Sequence, residues 1–156
     1  MSEPAFSDRL DALLDWFGRL SPQTLPLIDH FYAEQVQFQD PFNRVNGRSD
    51  LRRLFQHMFD SSESARFVIA DRLLDGRQAF VTWDFHCRIR GRDYHIHGGS
   101  HLRFDAAGMV VWHRDYWDAA EELLQKLPLI GVPVRWLRRL FRVPGLSEGP
   151  PQESRF

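Results

Sequence analysis

The sequence predicts an α+β fold: a curved antiparallel sheet with N-terminal helices forming a cone-shaped cavity. Three observations carry this reading. Apolar residues recur at helical spacing from Phe6 to about Phe59. From about Arg66 to Trp117 the chain reads as long strands, and turn residues break it at regular intervals. Beyond Asp118 the helical spacing returns. Helices segregated from a run of hairpin strands pack on one face of the sheet, and a curved sheet leaves a cavity beneath them.

The elements follow in order. Phe6, Leu10, Leu13, Leu14 and Phe17 share one face of a first helix, with Ser7 as its expected N-cap. Ser21-Pro22 opens an expected second helix carrying Leu25, Ile28, Phe31 and Tyr32, with Pro26 distorting its start. Val36 to Gln39 alternates like a short strand, ended by Asp40-Pro41. A third helix follows Gly47, with Leu51, Leu54, Phe55, Met58 and Phe59 inward and Arg48, Arg52 and Arg53 on a solvated face. Asp75-Gly76, Arg90-Gly91 and Asp105 to Gly108 mark the hairpins of a four-strand meander. The expected organisation is one domain over 1–127, an amphipathic C-terminal helix over 128–142 and a mobile tail over 143–156.

Composition narrows the function. The 156 residues carry 20 Lys plus Arg against 21 Asp plus Glu, and so lack the basic excess of a nucleic-acid binder. A single cysteine, Cys87, excludes an internal disulfide and a Cys-rich metal centre. The N-terminus lacks a signal-peptide layout, so the expected location is cytoplasmic.

Two stretches resemble a known group. Tyr32-Ala33 followed after six residues by Asp40-Pro41, then Gly47 and a helix, is similar to the equivalent stretch of bacterial ketosteroid isomerases. Ser100-His101-Leu102-Arg103-Phe104-Asp105, Gly108, and Val110-Val111-Trp112-His113-Arg114-Asp115 resemble their last hairpin. The element order resembles the nuclear transport factor 2-like superfamily, a cystatin-like α+β roll that includes those isomerases and the SnoaL-type polyketide cyclases. The resemblance covers roughly residues 6–127.

It implies a set of site residues. The isomerase base falls on Asp40, while the isomerase's oxyanion-hole tyrosine and aspartate fall on Trp16 and Ser100. The base position is retained and the oxyanion hole is not, because an indole N–H and a serine hydroxyl replace stronger acids. If Ser100 faces inward, strand alternation also turns Val81, Trp83, Phe85, Cys87, Leu102, His113, Asp115 and Trp117 inward. His113 and Asp115, two apart on one strand, form a candidate acid/base couple. The catalytic candidates are therefore Asp40, His113 and Asp115. The substrate-binding candidates are Trp16, Phe17, Phe55, Phe59, Trp83, Phe85, Ser100 and Trp117.

The same parity puts His95, His97 and His101 on the opposite sheet face, where the superfamily forms homodimers. No metal and no cofactor is expected. The expected partners are a small hydrophobic molecule, a second copy of the chain, and a membrane surface met by the C-terminal helix, with no nucleic acid. Two functions stay open: a cofactor-free isomerase, cyclase or dehydratase, and a non-catalytic carrier or sensor of a lipophilic ligand.

Overall fold

A computed structural model describes residues 2–119. Helix α1 spans Glu3–Gly18, followed by a 3-10 helix, Leu25–His30. Strands β1 (Tyr32–Gln39) and β2 (Arg44–Asn46) precede helix α2 (Arg48–Ser61). Four strands follow: β3 (Glu63–Asp75), β4 (Gln78–Ile89), β5 (Arg92–Phe104) and β6 (Val110–Trp117). They form one six-stranded sheet in the order β2-β1-β6-β5-β4-β3. The expected 128–142 helix and 143–156 tail lie outside the described residues.

The α+β class stands, with three differences in detail. The sheet is mixed rather than wholly antiparallel, because β1 runs parallel to β6. Turn chemistry reveals only hairpins between sequence neighbours, and these two strands come from opposite ends of the described chain. The expected second helix is a short 3-10 turn. Leu25 and Ile28, both buried, sit three apart, a spacing that suits three residues per turn as well as an α-helix. Tyr32 belongs to β1 instead. Finally, α1 begins at Glu3, with Ser2 as its N-cap residue. Ser7 lies inside the helix, and its hydroxyl accepts hydrogen bonds of 3.3 Å from Arg72.

The core forms where α1, the 3-10 helix and α2 meet the inner sheet face. Leu10, Leu13, Ile28, Tyr32, Val36, Leu51, Val81, Leu102 and Val110 are buried there. Arg48 is not simply solvated: its guanidinium donates to the Tyr32 carbonyl at 2.8 Å and pairs with Asp29 at 2.9 Å. Arg52 pairs with the same carboxylate at 2.5 Å, tying α2 to the 3-10 helix. Gly76, Gly91 and Gly108 adopt positive φ at the hairpin turns, which is why the strand breaks were readable.

Register fixes the inner face. Val81, Ser100 and Asp115 are cross-strand partners, as are Ala79, Leu102 and His113, and Trp83, Gly98 and Trp117. Gly98 allows a close approach. A Cβ there would lie 2.6 Å from the Trp83 ring, so the six-membered end of the indole comes close against the β5 backbone.

Candidate active site

A cavity of about 630 Å³ opens between α2, the β1–β2 hairpin and the inner sheet face. Its walls are mainly apolar: Phe38, Val45, Leu54, Phe55, Met58, Phe67, Trp83, Phe85, Ile96 and Trp117. Asp40, Asn43, Asp50, Arg53, His57 and Asp115 supply the polar lining. A second, smaller space of about 20 Å³ lies deeper, lined among others by Leu14, Phe17, Val81, Ser100 and Leu102. Phe55, Phe67, Trp83 and Asp115 line both spaces, so Asp115 sits where they adjoin.

Behind Asp115 runs a buried chain of hydrogen bonds. The His113 Nε2 lies 2.7 Å from Asp115 Oδ1, and the Ser100 hydroxyl donates to the same oxygen at 2.5 Å. The Trp83 indole N–H donates to Ser100 Oγ at 2.9 Å. On the far side, the Tyr32 hydroxyl meets His113 Nδ1 at 2.8 Å. Rings close around the imidazole. Tyr32 stacks on it at 5.9 Å, and the edges of Phe38 and Phe17 meet it at 4.9 and 5.9 Å.

Proton placement follows from satisfying every donor, and is assigned from this network. With one proton on His113 Nε2, the imidazole donates to Asp115 and accepts from the Tyr32 hydroxyl at Nδ1. A second proton on Nδ1 would leave the Tyr32 O–H without an acceptor in a fully buried place, at a cost of about 1–3 kcal/mol. Burial, and then the negative charge of Asp115, push the Tyr32 phenol well above its ordinary value of 10.0. The phenol therefore keeps its proton and acts as the donor. This arrangement leaves a carboxylate at Asp115 whose charge no neighbouring imidazolium neutralises.

Each sequence candidate now has a place. Phe85 and Trp117 line the large cavity, Phe17 and Ser100 the deeper space, and Asp115, Trp83 and Phe55 both. His113 is 2% exposed and lines neither space, so it reaches the cavity only through Asp115. Asp40 lines the large cavity as a turn residue. Its Oδ1 accepts from the backbone N–H groups of Phe42 and Asn43 at 2.7 and 2.6 Å, and the Asn43 amide bonds both its oxygens at 3.1 Å. That is the carboxylate-capped turn that an Asp before proline favours.

Trp16 departs from the expectation. It is buried in the core against Phe17, Phe31, Tyr32 and Phe55, and its indole N–H donates to the Thr24 carbonyl at 2.9 Å. It lines neither space. Phe59 also lines neither, and packs partly buried against the core.

Sequence reasoning missed Tyr32 and Phe67. A helical reading of Tyr32 hides the meeting of its hydroxyl with His113. Phe67 packs against Trp83 and Phe85 at 5.4 and 4.7 Å. The unbroken apolar run Phe67-Val68-Ile69 hides its parity. The free Cys87 thiol is buried, and burial raises its pKa.

On the other sheet face, Asp84 Oδ1 meets His95 Nε2 at 2.7 Å and His97 Nδ1 at 3.0 Å. Burial acts to raise the Asp84 pKa, but hydrogen bonds and charge from the two histidines hold it below its ordinary value. His101 packs its edge on Trp112. No group of three or more His, Cys, Asp or Glu suited to a metal ion occurs among the described residues.

Comparisons with known proteins agree with the architecture. AclR of Streptomyces galilaeus superposes with a TM-score of 0.63 at 16% identity, covering 89% of this chain and 93% of that one. A nuclear transport factor 2-like protein of unknown function from Burkholderia pseudomallei gives 0.66 at 18% identity, covering 78% and 95%. An LEH-like epoxide hydrolase of M. tuberculosis gives 0.61 at 16% identity, covering 74% and 84%. At such identities the likeness shows the fold alone. No curated protein matches the sequence significantly. The SnoaL-like domain family matches residues 13–113. The chain therefore belongs to the SnoaL-like domain family.

Proposed function

We propose that the cavity binds a small, largely apolar molecule and that Asp115 moves a proton on it without a cofactor, as in isomerase- or cyclase-type reactions. One observation carries the reading. Asp115 is the most deeply placed ionisable group on an aromatic-walled cavity, and His113 and Ser100 hold it through a single oxygen. A positioned carboxylate in a water-poor site is the minimum a general base requires. The roles then divide. Asp115 is the base, His113 and Ser100 orient it, Tyr32 sets the His113 tautomer, and the rings of Trp83, Phe85 and Trp117 hold the substrate. Asp40 serves the turn first, since backbone donors occupy it.

The carrier reading has one observation in its favour. The indole N–H groups of Trp83 and Trp16 are already engaged, so neither is free to stabilise an oxyanion. Hence the chemistry proposed is proton transfer rather than isomerisation through a strongly stabilised enolate.

A general-base probe separates the two. In 5-nitrobenzisoxazole a base removes the ring C–H proton while the N–O bond breaks, releasing a coloured cyanophenolate. The intact protein accelerates this reaction, and Asp115→Asn lowers the rate about 100-fold or more. Equal rates for wild type and variant would leave a carrier. A loss in Asp40→Asn alone would move the base to Asp40. The proposal also places the protein in the cytoplasm as a homodimer through the sheet face that carries His101 and Arg103. Sedimentation at micromolar concentration checks the dimer, and a single-chain mass would reject it. No helix among the described residues is long and apolar enough to cross a membrane. The proposal also includes a membrane-surface contact by the helix expected over 128–142, which lies outside the described residues.

A further inference from the structure

The charge balance of the cavity says what kind of molecule it holds. Both protein hydrogen bonds to Asp115 end on Oδ1, and among the described residues none ends on Oδ2. All the donors behind it are engaged: Trp83 on Ser100, Ser100 on Asp115, His113 on Asp115 with Ser100 Oγ 3.2 Å from the same Nε2, and Tyr32 on His113. That arrangement delivers one uncompensated negative charge to the floor of the cavity. The other ionisable lining groups are Asp40, Asp50, Arg53 and His57. Arg53 is already paired with Asp50 at 3.2 Å on an exposed helix turn, and the Asp40 carboxylate is engaged in its own turn. Among the described residues neither Arg53 nor His57 hydrogen-bonds or ion-pairs with Asp115, whose partners are Ser100 and His113.

Around that charge stand Phe38, Phe67, Trp83, Phe85 and Trp117. Aromatic faces carry negative potential and attract cations, most strongly for Trp. A carboxylate with a free oxygen among such rings is complementary to a positive charge. It is poorly suited to an anion, which would meet like charge in a medium of low dielectric. The cavity volume exceeds that of an ammonium group alone, and its mainly apolar walls leave room for an apolar body beside the charge.

We propose that the cavity selects an organic cation, a protonated or quaternary amine on an apolar body, its charge held by Asp115 Oδ2 and the surrounding ring faces. This rests on the cavity being the ligand site and names the class of ligand it takes. A substrate of this kind also brings its own acidified C–H bonds, next to the ammonium nitrogen, close to the carboxylate.

The test compares two molecules of the same shape: benzyltrimethylammonium and its neutral isostere neopentylbenzene. Binding is followed by calorimetry and by the fluorescence of the protein's tryptophans. The cation is expected to bind at least about ten-fold more tightly than the isostere. Asp115→Asn should bring the ratio close to one. Trp117→Leu, at the cavity wall, should lower affinity for the cation more than for the isostere, and it serves if Asp115→Asn fails to fold. If the isostere binds as well as the cation, the inference is overturned while the cavity remains the ligand site. If neither binds, both readings fall.

Discussion

Replacing Tyr32 by Phe removes one oxygen from the most buried part of the site and leaves the ring in place. Tyr32 is fully buried and stacks on His113, with its hydroxyl 2.8 Å from Nδ1. The substitution opens no cavity larger than one atom, so the packing contribution is small. What changes is polar: the hydrogen bond disappears and Nδ1 becomes a buried acceptor without a donor. Losing that partner costs about 1–3 kcal/mol, which lowers Tm by about 3–10 °C for a domain of this size. Thermal and urea unfolding, followed by circular dichroism and Trp fluorescence, should agree on the loss.

The pH dependence supplies an independent check. The folded-state pKa of Tyr32 is raised above its ordinary value of 10.0, by burial first and by Asp115 second. Stability is therefore at its full value below about pH 10 and falls as pH rises above it, because the unfolded phenol ionises and the folded one resists. Tyr32→Phe lacks this group, so the stability gap between the two proteins should narrow in alkali. An unchanged or higher Tm at pH 7 would refute the reasoning, since the hydroxyl would then not be a required donor.

Two further predictions concern packing and the opposite sheet face. Gly98→Ala forces the Trp83 ring off β5, because the new Cβ would sit 2.6 Å from it. The expected results are a loss of about 1–3 kcal/mol and an altered Trp fluorescence spectrum, and an unperturbed spectrum would contradict the close approach. His86 stacks on His95 at 4.5 Å, and burial, then the charges of His95 and Arg66, lower its pKa. The unfolded chain therefore takes the proton first, and stability should fall as pH drops through about 6.5. His86→Gln should flatten that limb of the stability curve, and an identical limb would exclude His86 as its source.

The hairpins were legible because each needs a turn residue at positive φ, and Gly76, Gly91 and Gly108 announce it. Strand parity then followed from Ser100, since side chains alternate and cross-strand partners share a face. The β1–β6 pairing was not legible, because no local turn joins strands so far apart in sequence. Tyr32 was misread for a related reason. Leu25 and Ile28 fit a helical period, but the 3-10 helix ends at His30 and releases Tyr32 into β1. The indole of Trp16 finds its acceptor in a carbonyl of the following turn, a tertiary meeting that spacing along α1 cannot announce. Asp40 carried two signals at once, a family position for a base and the turn chemistry of Asp-Pro, and the turn donors occupy it in the structure.

The central claim is that Asp115 presents an uncompensated negative charge to the cavity because His113 bears one proton. The direct measurement is the protonation of the His113 ring by two-bond nitrogen–proton correlation NMR at pH 7, assigned with a His113→Gln control. The account predicts a single ring proton on Nε2 and a bare Nδ1 that accepts from the Tyr32 hydroxyl. Two protonated ring nitrogens would make His113 and Asp115 a neutralised ion pair and would contradict it.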